Sequence, residues 1–269
     1  MTTNLCAVVI PFHESKLAKI QIDVIKNNIH RLKKWKVFFA VSDSNKDYAK
    51  KLAANFSNTQ VVTFDNNYFK SIHGYNKLLT SNNFYKKFDS FEYILICQTD
   101  AIIFSDKLKL WCKKNYSYVG APWFAGYDIP IKPLKFYSVG NGGLSLRKTK
   151  DCLKILNKNK EKTRFFAFLN AFELNINNIY KLIKQLAKFA LNYQIPEDIF
   201  WGIGAKISDP SFRVPLFNEA LEFSFETMPS YLYKLNDYNL PFGCHAFTKF
   251  EPEFWKPVLK EKKIILDFK

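Results

Sequence analysis

The sequence predicts a single α/β domain built on a mostly parallel central sheet flanked by helices, with an inserted helical segment. Three observations carry that reading. Short apolar runs recur at Leu5 to Ile10, Lys36 to Val41, Gln60 to Phe64 and Tyr93 to Cys97; runs of this length bounded by polar residues mark strands buried on both faces. Between them lie stretches with apolar residues at three- and four-residue spacing, the period of a helix with one face on a core. Strands and helices in alternation build βαβ units and a parallel sheet. Composition agrees: 269 residues, 48% hydrophobic and 17% aromatic, can bury a substantial core and exclude a disordered chain.

The elements follow in order. Leu5 to Ile10 is a strand closed by Pro11, and from Glu14 to Leu32 the side chains Leu17, Ile20, Val24 and Ile22, Ile25, Ile29, Leu32 keep helical spacing. Lys36 to Val41 runs into Ser42-Asp43-Ser44, turn-forming residues at a strand end. A helix near Tyr48 to Asn55 precedes the strand Gln60 to Phe64, and a helical stretch from Phe69 to Phe88 precedes Tyr93 to Cys97. Tyr118 to Trp123 reads as a strand running into a turn. Phe136 to Arg147 places Gly140-Asn-Gly-Gly143 between β-prone residues. Lys148 to Gln194 is helical and Lys-rich, and Glu222 to Glu226 and Ile264 to Phe268 are short extended pieces. With no internal repeat or low-complexity linker, one domain covers residues 1–269, its helical insertion at about 150–193.

The formal charge of +16, from 40 basic against 24 acidic residues, favours polyanionic partners. Arg is confined to Arg31, Arg147, Arg164 and Arg213, which argues against nucleic acid, since Arg is the usual fork donor to bases. A genome biased towards Lys and Asn accounts for much of the excess. No apolar run approaches the roughly 20 residues that span a bilayer. The chain passes almost directly from Met1 into a strand, so no secretory signal peptide is expected. The five cysteines form no Cys-x-x-Cys pair and read as reduced thiols of a cytoplasmic protein.

Four segments carry chemistry. Tyr93-Ile-Leu-Ile-Cys-Gln-Thr-Asp-Ala101 is a buried strand ending in Gln98 and Asp100. Ligand crevices of open α/β sheets lie outside such carboxyl ends, where an Asp can hold a hard divalent cation that also binds phosphates. A strand-end cap explains the same Asp more simply. In Gly140-Asn-Gly-Gly-Leu-Ser-Leu-Arg147 the glycines allow close approach to the backbone, so Asn141 and the N–H groups of Gly142 and Gly143 are candidates to grip a sugar or phosphate; a tight hairpin turn uses glycines equally well. Pro196-Glu-Asp-Ile-Phe-Trp201 sets two carboxylates at a helix start, where the dipole favours them and where one could act as a general base. In Pro241-Phe-Gly-Cys-His-Ala-Phe247, His245 offers a nitrogen ligand to an ion such as Mn2+, while Cys244 lacks the companions of a zinc site.

These segments, with Tyr118-Val-Gly-Ala-Pro-Trp123 and in this order, resemble a little-characterised, mostly microbial family of GT-A-like glycosyltransferases, over about Tyr75 to Phe247. The resemblance implies a GT-A-like fold and a nucleotide-sugar donor. It also implies a divalent cation, Mn2+ or Mg2+, near Asp100 and His245, and transfer to a hydroxyl of a glycan or lipid-linked saccharide in surface-polysaccharide assembly. Donor contacts are expected from Asp43, Asn76, Gln98, Asp100, Asn141, Gly142 and Gly143. Gln98 replaces the first carboxylate of the usual Asp-x-Asp, so metal binding should be loose. Asp198 is the preferred base for an inverting reaction, with Glu197 positioning the acceptor; a retaining reaction stays open, because a sequence does not reveal which face the acceptor occupies.

Two alternatives compete. A nucleotidyltransferase would want a Gly-rich phosphate loop after the first strand, and Pro11-Phe-His-Glu-Ser15 has no glycine. A non-catalytic basic protein would bind nucleic acid or anionic membrane, against which scarce Arg and strand-end carboxylates speak. From Ile176 to Leu191, Ile179, Leu182, Ile183, Leu186, Phe189 and Ala190 fall on one stripe and Lys181, Lys184 and Lys188 on another. Such a basic amphipathic helix suits attachment to an anionic membrane, at the inner face of the plasma membrane, or an ordinary core-facing helix with a solvated Lys face.

Overall fold

The structure is a computed structural model and describes residues 4–171, 195–264 and 266. Strands β1 (Cys6–Pro11), β2 (Lys36–Ser42), β3 (Thr59–Phe64) and β4 (Tyr93–Cys97) pair in parallel, and β9 (Leu144–Lys148) and β6 (Tyr118–Val119) extend the sheet antiparallel, giving the order β3-β2-β1-β4-β9-β6. The two-residue side-chain period of a strand explains why these runs are apolar throughout. Ala7, Val9, Ile94 and Ile96 face one core, whereas Cys6, Val8, Ile10, Leu95 and Cys97 face another.

Helices cover both faces. α1 (Lys19–Arg31), α2 (Lys46–Ala53) and α5 (Leu108–Lys113) bury Ile25, Ile29, Ala49, Leu108 and Trp111 on the second core. α3 (Ile72–Leu79), α4 (Asn82–Lys86), α6 (Thr149–Lys158) and α7 (Lys160–Ala171) bury Leu78, Phe84, Tyr85, Ile155 and Phe168 on the first. A small sheet, β10 (Ser224–Phe225), β11 (Gly243–Cys244) and β5 (Ile102–Ile103), and a hairpin of β7 (Ala121–Phe124) and β8 (Phe136–Gly140) complete the sheets.

Several boundaries differ from expectation. The helix expected from Glu14 starts only at Lys19, which leaves His13 and Glu14 in the loop beyond β1. The stretch Phe69 to Phe88 breaks in two because Ser71 and Ser81 each accept a hydrogen bond from a backbone N–H three residues on, at Gly74 and Phe84, and so start new helices. The extended piece at Glu222 to Glu226 is largely the end of the helix Phe217–Phe223, with only Ser224–Phe225 as strand. Ile264 is not in a strand, and the basic stripe at 176–191 lies outside the described residues. Among the described residues no helix is long and apolar enough to cross a membrane.

Candidate active site

The site forms where four chain segments meet at the carboxyl ends of β1 and β4. Past Cys97 the pairing with β9 continues by one bond, Gln98 N–H to Gly143 C=O at 2.8 Å, which brings the glycine loop against the strand end. Antiparallel pairing of β11 with β5, and the bond from Ala246 N–H to Asp100 C=O at 3.1 Å, set His245 opposite Asp100. His245 N–H reaches Phe225 C=O at 3.0 Å and so fixes the next residue, Glu226.

The histidine bridges two carboxylates. Its Nε2 lies 3.3 Å from Asp100 Oδ1 and its Nδ1 2.7 Å from Glu226 Oε1. Glu226 is held from behind by Trp123, whose Nε1 donates to Oε2 at 3.2 Å. Burial disfavours a charged imidazole, but the two carboxylates outweigh it and push His245 up to about 10. Burial likewise opposes ionisation of Asp100, and the hydrogen bond from His245 more than offsets it, so Asp100 sits below the usual carboxylate range. Gly143 has no room for a side chain, since a Cβ there would stand 2.0 Å from His245 Nε2.

Asp100 Oδ1 and His245 Nε2 have the separation of neighbouring ligands on a cation bound at about 2.1–2.3 Å, which would take the place of the Nε2 proton while Nδ1–H stays on Glu226. Among the described residues no three His, Cys, Asp or Glu side chains cluster for a metal. The pair therefore fits an ion that draws its other ligands from phosphate and water, and a mixed oxygen–nitrogen set suits Mn2+ better than Mg2+.

The two adjacent acidic residues have separate environments. Glu197, only 2% exposed, pairs with Arg147, itself fully buried, at 2.9 Å. Arg147 also donates to Ser145 and to the Tyr85 hydroxyl. This corrects the expectation that Glu197 faces an acceptor: its carboxylate is the counter-ion of a buried guanidinium. Asp198 is half-buried, and burial, then Glu197 and Glu226, push it up to about 7. Gly142 lies against both, a Cβ there falling 3.0 Å from Glu197 Oε1 and 3.7 Å from Asp198 Oδ2. Beyond them the helix widens into a π-helical turn at Phe200–Ala205, a local form frequent at functional sites.

A pocket of about 520 Å³ opens beside this cluster, within the usual range for small-molecule sites. Phe12, Phe69, Ile72 and Tyr75 give it apolar walls, and Glu14, Lys70, Gln98 and Asp100 supply charge and polarity. Gln98 Nε2 donates to the Tyr75 hydroxyl at 3.0 Å rather than turning to Asp100. Asn76, on α3, accepts from Glu197 N–H at 3.3 Å and so joins the pocket helix to the acidic helix.

Two expected donor contacts lie differently. Asn141 is fully buried, and its Oδ1 accepts from the N–H groups of Gly143 and Leu144, both at 2.9 Å; it shapes the loop and is spent on it. Asp43 is exposed at the end of β2 and does not line the pocket. Glu226, Arg147 and Tyr75 were not singled out from the sequence. For Glu226 a signal existed, because Phe223-Ser-Phe225 ending in a carboxylate repeats the pattern that marked Asp100.

The fold and site together define a GT-A-like α/β protein, a mixed sheet with a carboxylate–histidine pair at its carboxyl edge. The chain belongs to the family described as "Protein of unknown function (DUF5672)", whose model matches residues 58–245. An active-site mutant of LgtC shares the fold, with TM-score 0.50, 12% identity and coverage of 95% of both chains. The glycosyltransferase GlyE of Streptococcus pneumoniae TIGR4 is similar at TM-score 0.48 and 12% identity, over 98% of this chain and 61% of that one. Mouse xyloside xylosyltransferase 1 is similar at TM-score 0.47 and 11% identity, over 89% and 97%. No curated protein matches in sequence.

Proposed function

We propose that the chain is a glycosyltransferase that takes a sugar from a nucleotide-sugar donor to a hydroxyl of a glycan or lipid-linked saccharide, with a divalent cation at Asp100 and His245. The observation that carries this reading is the facing pair Asp100 and His245, 3.3 Å apart, beside a pocket large enough for a nucleotide diphosphate and linked to Asp198 by the Gly142–Gly143 loop. The pocket's apolar walls suit a base, and Lys70 suits phosphate oxygens. The cation, when bound, neutralises charge developing on the leaving diphosphate.

The rest is done by the chain itself. Gly142 and Gly143, lacking side chains, let the loop pack directly against Glu197 and Asp198 on one side and the His245 ring on the other. Asp198 takes the acceptor proton; near 7, it is ionised in enough molecules at neutral pH and still basic enough to draw a proton. Glu226 and Trp123 keep His245 turned towards Asp100. With Asp198 as base, transfer in a single displacement, the diphosphate leaving as the hydroxyl oxygen bonds to the anomeric carbon, would give inversion. Surface-polysaccharide assembly on the cytoplasmic side is the setting that these substrates fit.

A thermal-shift panel of nucleotide diphosphates and nucleotide sugars, with and without Mn2+, tests donor class and metal together. One nucleotide is expected to raise the melting temperature only when Mn2+ is present, and Asp100→Ala to abolish that rise while still melting cooperatively without metal. A panel that gives no shift for any nucleotide, or the same shifts in Asp100→Ala, defeats the assignment.

A further inference from the structure

The connection between β7 and β8, residues 125–135, is tied down at its base and packs Tyr127 and Leu134 inward, yet turns its two isoleucines to solvent. Ala125 N–H bonds Lys135 C=O at 3.0 Å, Ile131 N–H bonds Ala125 C=O at 2.8 Å, and Ile129 N–H bonds Gly126 C=O at 3.0 Å. Gly126 takes φ +91°, where a Cβ would meet Ile129 C=O at 2.3 Å, so glycine is required for the tight turn. The turn holds Ile129 at 82% exposure and Ile131 at 57%. Phe136 and Tyr137 stay exposed where β8 begins, and Phe136 packs on Phe217, next to the 71%-exposed Leu216. Scattered exposed apolar residues mean little, but a concentration of them on an ordered loop marks an interaction surface.

Charge says what that surface meets. The loop's one acid, Asp128, is neutralised by Lys249 at 2.6 Å. Lys132 and Lys135 are exposed and form no ion pair among the described residues. Bulky aliphatic side chains at a loop tip, with lysines at its flanks and no uncompensated acid, match an interface of acyl chains below anionic headgroups. The whole chain, at +16, is drawn the same way.

We propose that the β7–β8 loop docks on an anionic lipid bilayer, with Ile129 and Ile131 among the acyl chains and Lys132 and Lys135 at the headgroups. The loop's root reaches the candidate site through Trp123, which holds Glu226 and stacks edge-on against Tyr127, whose ring meets Tyr137. Docking would therefore anchor the site through the loop's root near the membrane surface, where a lipid-linked acceptor would present its saccharide. The lipid contact itself does not rest on the glycosyltransferase reading, and its test needs no turnover.

The experiment is co-sedimentation of the full chain with phosphatidylcholine vesicles, with and without phosphatidylglycerol, alongside light scattering of the vesicle-free protein. The wild type is expected to partition onto the phosphatidylglycerol vesicles and to be released by salt. Ile129→Ser with Ile131→Ser should weaken partition by about a factor of ten for each isoleucine taken from the acyl region, and Lys132→Ala with Lys135→Ala should weaken it and blunt its salt dependence. Both variants alter exposed side chains and should melt with the wild type. Vesicle binding that is absent, or undiminished in the isoleucine variant, overturns the proposal. So does a dimer that the isoleucine variant dissociates, which would give the loop to a second copy of the chain.

Discussion

Replacing Glu197 by Leu should be a stability experiment rather than a catalytic one. The carboxylate lies 2.9 Å from a guanidinium that is 0% exposed, so its removal leaves Arg147 with Ser145 and the Tyr85 hydroxyl as neutral partners for a full charge. Breaking a buried pair from one side costs about 3–5 kcal/mol, whereas exchanging both members for apolar residues of similar volume is often neutral. Against the roughly 5–15 kcal/mol that stabilises a typical domain, the single change is severe. Glu197→Leu should therefore lower the urea midpoint in proportion, and Glu197→Leu with Arg147→Met should recover most of the loss at an unchanged slope. The assay is urea unfolding followed by circular dichroism at pH 7, on both single variants and the double, so that the coupling energy is measured directly. The reasoning fails if Glu197→Leu stays within about 1 kcal/mol of wild type while turnover disappears; Glu197 would then belong to the chemistry after all.

Asp198→Asn should separate activity from stability in the opposite sense. The native group titrates at about 7, above an ordinary aspartate's 3.8, so its contribution to stability is full below about pH 4 and lost as pH rises to 7; the Asn variant should melt above wild type at pH 8 and close to it at pH 4, with turnover down about 10²–10⁴-fold, and an equal or lower melting temperature at pH 8 counts against the buried-carboxylate account. Gly143→Ala puts a methyl 2.0 Å from His245 Nε2 and must displace the ring; Mn2+ affinity, titrated by electron paramagnetic resonance, should fall at least about tenfold, and unaltered affinity would remove His245 from the ligand set.

Most of the sheet was legible because parallel strands buried on both faces have to be apolar at every position, as at Tyr93–Cys97. Helix starts were less so: Ser71 and Ser81 divide one apolar period into two short helices by side-chain capping, which periodicity does not register. At the site, Asp100 and His245 could be named from strand-end and loop chemistry, and the geometry brings them together. The roles of Glu197 and Asp198 could not be separated, since adjacent residues differ only in which way each points around the helix. That direction depends on Arg147, 50 residues earlier in the chain. Asn141 misled for a related reason, because an amide that can grip a ligand can equally close its own turn.

The narrow sheet of β10, β11 and β5 also dictates an order of events during synthesis. Its middle strand, at Gly243–Cys244, threads between partners drawn from Ile102 and Ser224, and it carries His245 to an aspartate made 145 residues earlier. The first four strands, by contrast, pair among residues 6–97 and can gather while the ribosome is still translating the remainder. A nascent chain can thus own a nearly finished scaffold and yet lack the histidine half of its ligand pair. Any competence that depends on that pair arrives abruptly, only after residue 245 has been made, when closure of the long Asp100–His245 loop brings the two residues together.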